Sequence, residues 1–233
     1  MKLDILVFGA HPDDIELSCA GTIIKHSKEG YKIGLIDLTR GELGTRGNYK
    51  IRDIECENAT KHLGVEFRKN MNFKDGFFEN NESNKIELIK VLRKYKPNIV
   101  ITNAPNDRHP DHVKSSNLTT ESTFLSGLEK IDTNQKPWRP TYLYHYIQFQ
   151  NIIPDFVVDI SSEMDQKIKS ISCYKSQFYD PESNESETII SSKEFLDSIS
   201  YRAQDLGRQS NCKFAEGFIS NQLLKIKYLR DLV

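Results

Sequence analysis

Compact apolar runs alternate along the chain with longer stretches in which apolar residues recur at helical spacing. The segments LDILVFGA, YKIGLIDLT and NIVITN are short apolar runs of the kind typical of buried strands. Helical character fills the stretch between the first two runs. This pattern predicts a β-α-β unit, in which the two strands are parallel and the crossover is right-handed.

Further helices are predicted between the later strands. Residues 51–63 carry apolar or small residues at helical spacing and precede Gly64, and NKIELIKVLRKYK repeats the pattern before Pro97. Residues 113–125 can form another helix, and DFVVDI is a later strand candidate. The alternation predicts an α/β fold, a Rossmann-like three-layer sandwich with a mostly parallel sheet, as one domain over residues 1–233.

The amino-acid composition indicates which class of partner the protein binds and in which compartment we expect it. The 32 basic and 33 acidic residues give a formal net charge of -1, which argues against nucleic acid or an anionic membrane and favours a small-molecule partner. The four cysteines form no C-x-x-C pair, so we expect reduced thiols in a cytoplasmic protein. The N-terminus shows neither a signal-peptide cleavage site nor an apolar run long enough to anchor the chain.

Two histidine-aspartate clusters follow two of the predicted strands. AHPDD comes directly after the first strand, and NDRHPDH follows NIVITN. Because the carboxyl ends of parallel strands meet at one edge of the sheet, the two clusters are expected to lie close together. Their ionisable members are His11, Asp13, Asp14, His109, Asp111 and His112.

The residue types in these clusters are typical of a catalytic zinc site. Two imidazoles and one carboxylate form a common zinc shell that leaves one coordination position open, and we choose His11, Asp14 and His112 as the ligands. Asp13 is then free to take a proton from the attacking water. His109 is then available to stabilise the charge that develops on the substrate on the opposite side of the site, or to protonate it.

Plainer interpretations compete with the metal site. A single loop histidine is usually a surface residue, and an aspartate after a strand is most often a helix N-cap, so Asp13 or Asp14 could cap the helix that begins near Ile15. Three of the six histidines nevertheless lie in these two loops, and each loop contains an H-P-D tripeptide. J-domain co-chaperones also use H-P-D, but on a helical hairpin, and a strand precedes each copy here. Motifs of dinucleotide sites, phosphate loops and nucleophile elbows are absent from the sequence.

A-H-P-D-D-x-E together with H-P-D-H resembles the motif pair of the zinc-dependent deacetylases that act on N-acetylglucosaminyl compounds, the LmbE-like or PIG-L family. Segments including LTRGELGTRG, FKDGFF, YKSQFYDP and YRAQDLGR resemble the bacillithiol-biosynthesis branch, over nearly the whole chain. The resemblance implies hydrolysis of the acetamide of N-acetylglucosaminyl L-malate, with one Zn²⁺ per chain. It also implies a homo-oligomer such as a hexamer.

The resemblance also implies residue roles that agree with the assignment above. His11, Asp14 and His112 match the zinc ligands, Asp13 the general base, and His109 the acid or electrostatic partner. Whether Asp13 or His109 protonates the leaving amine stays open. Asp111 is expected to orient a ring nitrogen or, equally well, to cap its loop.

Candidate substrate contacts come from the arginines and polar residues near the two clusters. Arginine forks suit the two carboxylates of a malate aglycone, and we expect two of four to serve: Arg40, Arg46, Arg52 and Arg108. Glu42 could accept sugar hydroxyls. His145 is either an oxyanion donor in the pocket or a buried strand histidine.

Two other functions stay open on the sequence. One is deacetylation of a different conjugate, such as a mycothiol precursor, chitobiose, a lipid-linked sugar or a bacillithiol S-conjugate. The other is a non-catalytic sugar-binding protein, which should lack a ligand or the base, and here none of them is missing. The same ligand set also accepts iron, cobalt or manganese.

Overall fold

Seven strands form a single mixed sheet in the computed structural model, which describes residues 1–232. The spatial order is β3-β2-β1-β4-β5-β7-β6. Neighbours among β1 to β5 pair in parallel, whereas β7 runs antiparallel to both β5 and β6. The strands are β1 (Ile5–Gly9), β2 (Ile33–Thr39), β3 (Phe67–Phe73), β4 (Ile99–Thr102), β5 (Tyr142–Tyr146), β6 (Phe156–Asp159) and β7 (Ala215–Ser220).

Helices cover both faces of this sheet. Side chains alternate along β1, so Ile5 and Val7 join one core cluster with residues of the first helix, while Leu6 and Phe8 join another with residues of the third. The helices are α1 (Asp14–Lys28), α2 (Tyr49–Leu63), α3 (Glu82–Tyr95), α4 (Pro110–Leu125), α5 (Met164–Ile171) and α6 (Lys193–Gln209). The predicted three-layer, mostly parallel α/β fold is therefore confirmed. Within residues 1–232, every helix is too short or too polar to cross a membrane.

Capping explains where the predicted helices begin and end. Asn48 accepts from two N–H groups in the first turn of α2, and Gly64 ends that helix with φ 67°, a conformation that favours glycine. Helix α4 begins at Pro110, three residues earlier than the sequence predicts. Proline suits the first helical position, and the ring of His109 accepts the N–H of Asp111 as the N-cap. The second H-P-D therefore forms the start of a helix.

Strand β3 was not among the predicted strands, so NIVITN is the fourth strand and not the third. Its sequence, FRKNMNF, places polar residues where a buried strand has apolar ones, because β3 lies at the edge of the sheet. Strand β7 and helices α5 and α6 were also not among the predicted elements, although both helices are clearly amphipathic. The antiparallel pair β6 and β7 extends the sheet beyond the parallel unit.

A buried ion cluster joins β3 to the first helix. Arg68 donates from Nε to Asp37 Oδ2 at 2.7 Å and from Nη1 to Glu16 Oε1 at 2.5 Å. Tyr174 donates its hydroxyl to the same Glu16 oxygen at 3.0 Å. Glu16, the last residue of A-H-P-D-D-x-E, is fully buried, so its charge depends on these partners.

Replacing Arg68 by glutamine should therefore lower the free energy of unfolding by about 3–5 kcal/mol, because two buried carboxylates lose their cation. Lys69→Gln, at the exposed neighbouring position of the same strand, is the matched control. Urea denaturation of both variants measures the difference. Equal losses in the two variants would show that the cluster does not stabilise the fold.

Candidate active site

The loops at the carboxyl ends of the parallel strands line a cavity of about 860 Å³. Residues that follow β1, β2, β3, β4 and β5 all contribute to its wall, and α6 with the short helix Ile189–Ser191 faces them. This is the edge at which open α/β sheets place ligand sites. The two histidine-aspartate clusters meet here, as the sequence predicts.

The Asp14 carboxylate lies between the imidazoles of His11 and His112. Its Oδ2 atom is 3.5 Å from His11 Nδ1, and its Oδ1 atom is 3.1 Å from His112 Nε2. Gln148 and Asn103 hold it in place by donating side-chain N–H groups at 2.7 Å and 3.1 Å. The structure thus brings the three predicted ligands together, and all are buried.

The opposite nitrogen of each imidazole faces another carboxylate. His11 Nε2 is 3.1 Å from Asp75 Oδ1 and 3.5 Å from Asp111 Oδ2, and His112 Nδ1 is 3.1 Å from Asp107 Oδ1. Asp111 therefore lies where it can orient a ring nitrogen. Asp75 and Asp107 were missed in the sequence, although each follows a strand in the same way as the two motifs.

This charge distribution fits a bound metal ion. Five buried carboxylates surround the imidazoles, and in the described part of the chain the permanent cations that pair with them are Arg52 and Lys114. Burial lowers the pKa of His112, but the neighbouring carboxylates raise it to about 9, which shows how strongly the site attracts positive charge. Nitrogen atoms of His11, His109 and His112 lie within 4.8 Å of one another. Histidines backed by carboxylates are typical metal ligands, so this group could hold a metal ion.

Asp13 has a different environment from the adjacent Asp14. It occupies the N-cap position of α1 with φ 119° and ψ -26°, a region that non-glycine residues rarely adopt, and its side chain makes no capping bond. The capping interpretation of Asp13 is therefore wrong. Its Oδ2 atom instead accepts from Arg52 Nη2 at 2.5 Å. Burial raises the pKa of Asp13 to about 6, although Arg52 opposes this rise.

The ring of His109 packs against both other histidines of the site. Its centroid is 4.8 Å from that of His112 and 4.7 Å from that of His11. Its Nδ1 atom accepts the N–H of Asp111 at 3.3 Å, so in the neutral ring the proton is on Nε2. Burial, with the charges of the two neighbouring histidines, lowers the pKa of His109 to about 4.

Two of the predicted substrate-binding arginines already have partners in the protein. Arg52 is buried and donates to the carbonyls of Pro12 and Gly41 as well as to Asp13. The guanidinium of Arg46 lines the cavity, donates to Ser183 at 2.6 Å and lies 3.5 Å from a carboxylate oxygen in the 180–188 loop. Each of these guanidiniums therefore already has a carboxylate partner in the protein.

The remaining candidates divide between the cavity and the outer surface. Arg108 lines the cavity, with its guanidinium 4.2 Å from the centre of the Phe149 ring. Arg40 pairs with Asp53, and neither it nor Glu42 lines the cavity. Glu42 is exposed and accepts the backbone N–H of Asp75 at 2.8 Å, so it supports a turn. The expected contact between Glu42 and sugar hydroxyls therefore has no support here.

His145 is a buried strand histidine and not a pocket residue. It is 2% exposed, does not line the cavity, and has Nδ1 2.9 Å from the Asn103 carbonyl oxygen and 3.0 Å from the Ser116 hydroxyl. Its side chain therefore cannot act as the oxyanion donor. Burial lowers the pKa of His145 below its ordinary value of 6.5.

This shift predicts how stability changes in mild acid. Below about pH 6.5 the unfolded chain binds a proton at His145 that the folded chain does not, so the free energy of unfolding decreases as the pH falls. His145→Asn, which carries no titrating ring, should show a smaller decrease between about pH 7 and about pH 5. Urea titrations at several pH values measure it. A decrease equal to that of the unmodified protein would refute the assignment.

The carboxylates behind the histidines should control metal affinity. Asp107→Asn keeps one oxygen acceptor but removes the charge beside His112 Nδ1, and we expect it to weaken Zn²⁺ binding by about 10- to 100-fold. Competition with a chromophoric chelator measures the affinity. Asp165→Asn, at an exposed position on α5, is the control. Unchanged affinity in Asp107→Asn would mean that the Asp107 carboxylate does not support metal binding by His112.

Known proteins that are similar to this chain include deacetylases. The family model described as PIG-L, GlcNAc-PI de-N-acetylase, matches residues 6–123, just over half of the 233 residues. A diacetylchitobiose deacetylase of Thermococcus kodakarensis is 28% identical over 188 residues, which cover 75% of this chain and 70% of that protein. A probable N-acetyl-alpha-D-glucosaminyl L-malate deacetylase of Bacillus anthracis is 26% identical over 193 residues, covering 75% and 81%.

Structural similarity extends over almost the whole chain. The crystal structure of a conserved protein from Thermus thermophilus superposes with a TM-score of 0.88 and 32% identity, over 97% of this chain and 98% of that one. Both histidine-aspartate motifs, including the three histidines that could hold a metal ion, lie inside the segment that the family model matches. The chain therefore belongs to the PIG-L family of LmbE-like de-N-acetylases.

Proposed function

We propose that the protein is a metal-dependent N-deacetylase that removes the acetyl group from N-acetylglucosaminyl L-malate in bacillithiol biosynthesis. The observation that carries this proposal is the group formed by Asp13, Asp14 and the three histidines in the wall of the cavity. Family membership and the similarity to a probable malate-glycoside deacetylase support the substrate. The homo-oligomeric state stays a prediction.

In this proposal His11, Asp14 and His112 hold the metal ion. Such an ion, when bound, polarises the amide carbonyl and acidifies a water molecule. The oxygen and nitrogen donors, buried and oriented by further carboxylates, suit zinc, and the identity of the metal is part of the proposal.

Side chains of the protein carry out the proton transfer and stabilise the developing charge. Asp13, with its pKa raised by burial and its orientation fixed by Arg52, accepts a proton from water as the water attacks the acetamide carbon. The neutral His109 ring donates a hydrogen bond from Nε2 to the developing oxyanion, because its Nδ1 atom accepts from the backbone of α4, and Asp13 passes the proton that it took from water to the leaving amine. Acetate and the free glucosamine amine are the products.

A second candidate is the deacetylation of a neutral disaccharide such as diacetylchitobiose. The specific observation in its favour is that Arg46 and Arg52, two of the arginines expected to bind malate, already have protein partners. Similarity to a diacetylchitobiose deacetylase points in the same direction.

Release of free amine from both compounds distinguishes the candidates. The zinc-loaded protein is assayed with N-acetylglucosaminyl L-malate and with N,N′-diacetylchitobiose at matched concentrations. We expect kcat/KM to be at least about tenfold higher for the malate glycoside, the effect of one added charge-assisted contact. A preference for the disaccharide would favour the second candidate, and turnover of neither would contradict both.

A further inference from the structure

Helix α6 places an arginine in the cavity wall that sequence reasoning did not consider. Phe195, Ser198, Ile199 and Arg202 follow one another at helical spacing, and all four line the cavity. Arg202 is half-buried and donates from Nη2 to the Leu17 carbonyl oxygen at 3.1 Å. Over residues 1–230, no carboxylate oxygen lies within 4 Å of its guanidinium.

The two carboxylates that influence the charge of Arg202, those of Glu216 and Asp107, are paired with other groups. Burial lowers the pKa of Arg202, and Glu216 and Asp107 offset this only in part. Glu216 pairs with Lys167 at 2.6 Å and accepts two backbone N–H groups of α1. Asp107 faces His112 at 3.1 Å and accepts the N–H groups of two loop residues. The positive charge of Arg202 therefore lacks a direct counter-charge.

The other arginines of the cavity differ from Arg202 in their surroundings. Arg52 is paired with Asp13, and Arg46 lies against the carboxylate of Glu185. Arg108 is exposed at the rim, and its guanidinium stacks on an aromatic ring. Of the four cavity arginines, only Arg202 combines substantial burial with the absence of a carboxylate partner in the described residues.

We propose that Arg202 is a specificity-determining residue that binds an anionic group on the aglycone of the substrate, with Arg108 adding positive charge at the rim. This inference rests on the proposed function. A guanidinium fork binds carboxylate or phosphate through parallel charge-assisted hydrogen bonds, and Nε and Nη1 of Arg202 have no protein acceptor in the described part of the chain. A neutral aglycone gains nothing from this half-buried charge, so the cavity favours an anionic aglycone.

Kinetics of Arg202→Gln test the assignment. We expect KM for N-acetylglucosaminyl L-malate to rise by about 10- to 100-fold with kcat little changed, and both constants for diacetylchitobiose to stay the same. Arg202→Lys should restore part of the affinity, because it keeps the charge but not the fork. Arg208→Gln, exposed on the same helix and paired with Asp205, is the matched control. Equal losses on both substrates, or an unchanged KM for the malate glycoside, would overturn the proposal.

Anion binding separates this proposal from the proposed function. The shift in melting temperature caused by L-malate or by inorganic phosphate is compared in the metal-loaded unmodified protein and in Arg202→Gln. Stabilisation of the unmodified protein alone supports the site, and the more effective anion tells a carboxylate aglycone from a phosphorylated one. This result would stand even if no sugar were deacetylated. Equal shifts in the two proteins, or none in either, would refute the site.

Discussion

Replacing Asp13 by asparagine is expected to lower kcat for deacetylation by about 10²- to 10⁴-fold, the usual contribution of a general base. The substitution keeps the shape of the side chain and one oxygen for Arg52, but an amide cannot accept the proton of water. Metal content should stay at the level of the unmodified protein, because Asp13 contacts neither His11 nor His112 directly.

The control for this prediction is Asp53→Asn, which changes a carboxylate that also pairs with an arginine but lies outside the cavity. Steady-state kinetics and metal analysis are run on both variants. If Asp13→Asn kept more than about a tenth of the activity while folded and metal-loaded, another group would have to be the base. Loss of metal in this variant would instead make Asp13 a ligand.

Removal of His112 is expected to abolish both metal binding and activity. His112→Ala deletes a nitrogen that faces Asp14 and leaves Asp14 and Asp107 without their shared positive partner. A three-ligand site that loses one ligand should hold its metal far more weakly, and without the metal the amide is neither polarised nor attacked at a useful rate.

Metal analysis after dialysis, combined with acetate release, measures this effect. His62→Ala, on α2 and outside the cavity, is the control and should keep the metal and the activity. A His112→Ala variant that bound one equivalent of zinc tightly would contradict the assignment, and His109 would then be the alternative nitrogen ligand, since it lies within the same donor group.

The contrast between Asp13 and Asp14 shows how one short loop produces two chemical roles. Asp14 begins α1 and its carboxylate receives the backbone N–H of His11 at 3.0 Å, which holds it between the imidazoles. Asp13, one residue earlier, adopts a positive φ that directs its side chain to Arg52. Such strained backbone persists where the surroundings enforce it and is common at functional sites.

The sequence predicted the part of the site that lies in contiguous motifs. His11, Asp14 and His112 could be identified because each motif follows an apolar run, and because parallel strands end at one edge of the sheet. Predicting this cluster requires only the strand topology and no other long-range contact. The same reasoning predicted β1, α1 and β2 as a parallel β-α-β unit.

The missed residues depend on contacts that no local pattern encodes. Asp75 follows β3, whose polar sequence hid the strand and therefore its carboxyl end. Asp107 is one aspartate in a polar loop, and only the fold shows that it faces His112. The direction of Arg52 and the exposure of Arg202 are likewise set by how α2 and α6 pack, which periodicity alone does not fix.

Titration of zinc into the metal-free protein, with acetate release from N-acetylglucosaminyl L-malate as the readout, tests the central claim most directly. We predict negligible activity without metal, a rise in proportion to added zinc, and saturation at one ion per chain. Activity that is the same before and after metal addition, or no acetate from protein shown to hold one zinc ion, would contradict the account.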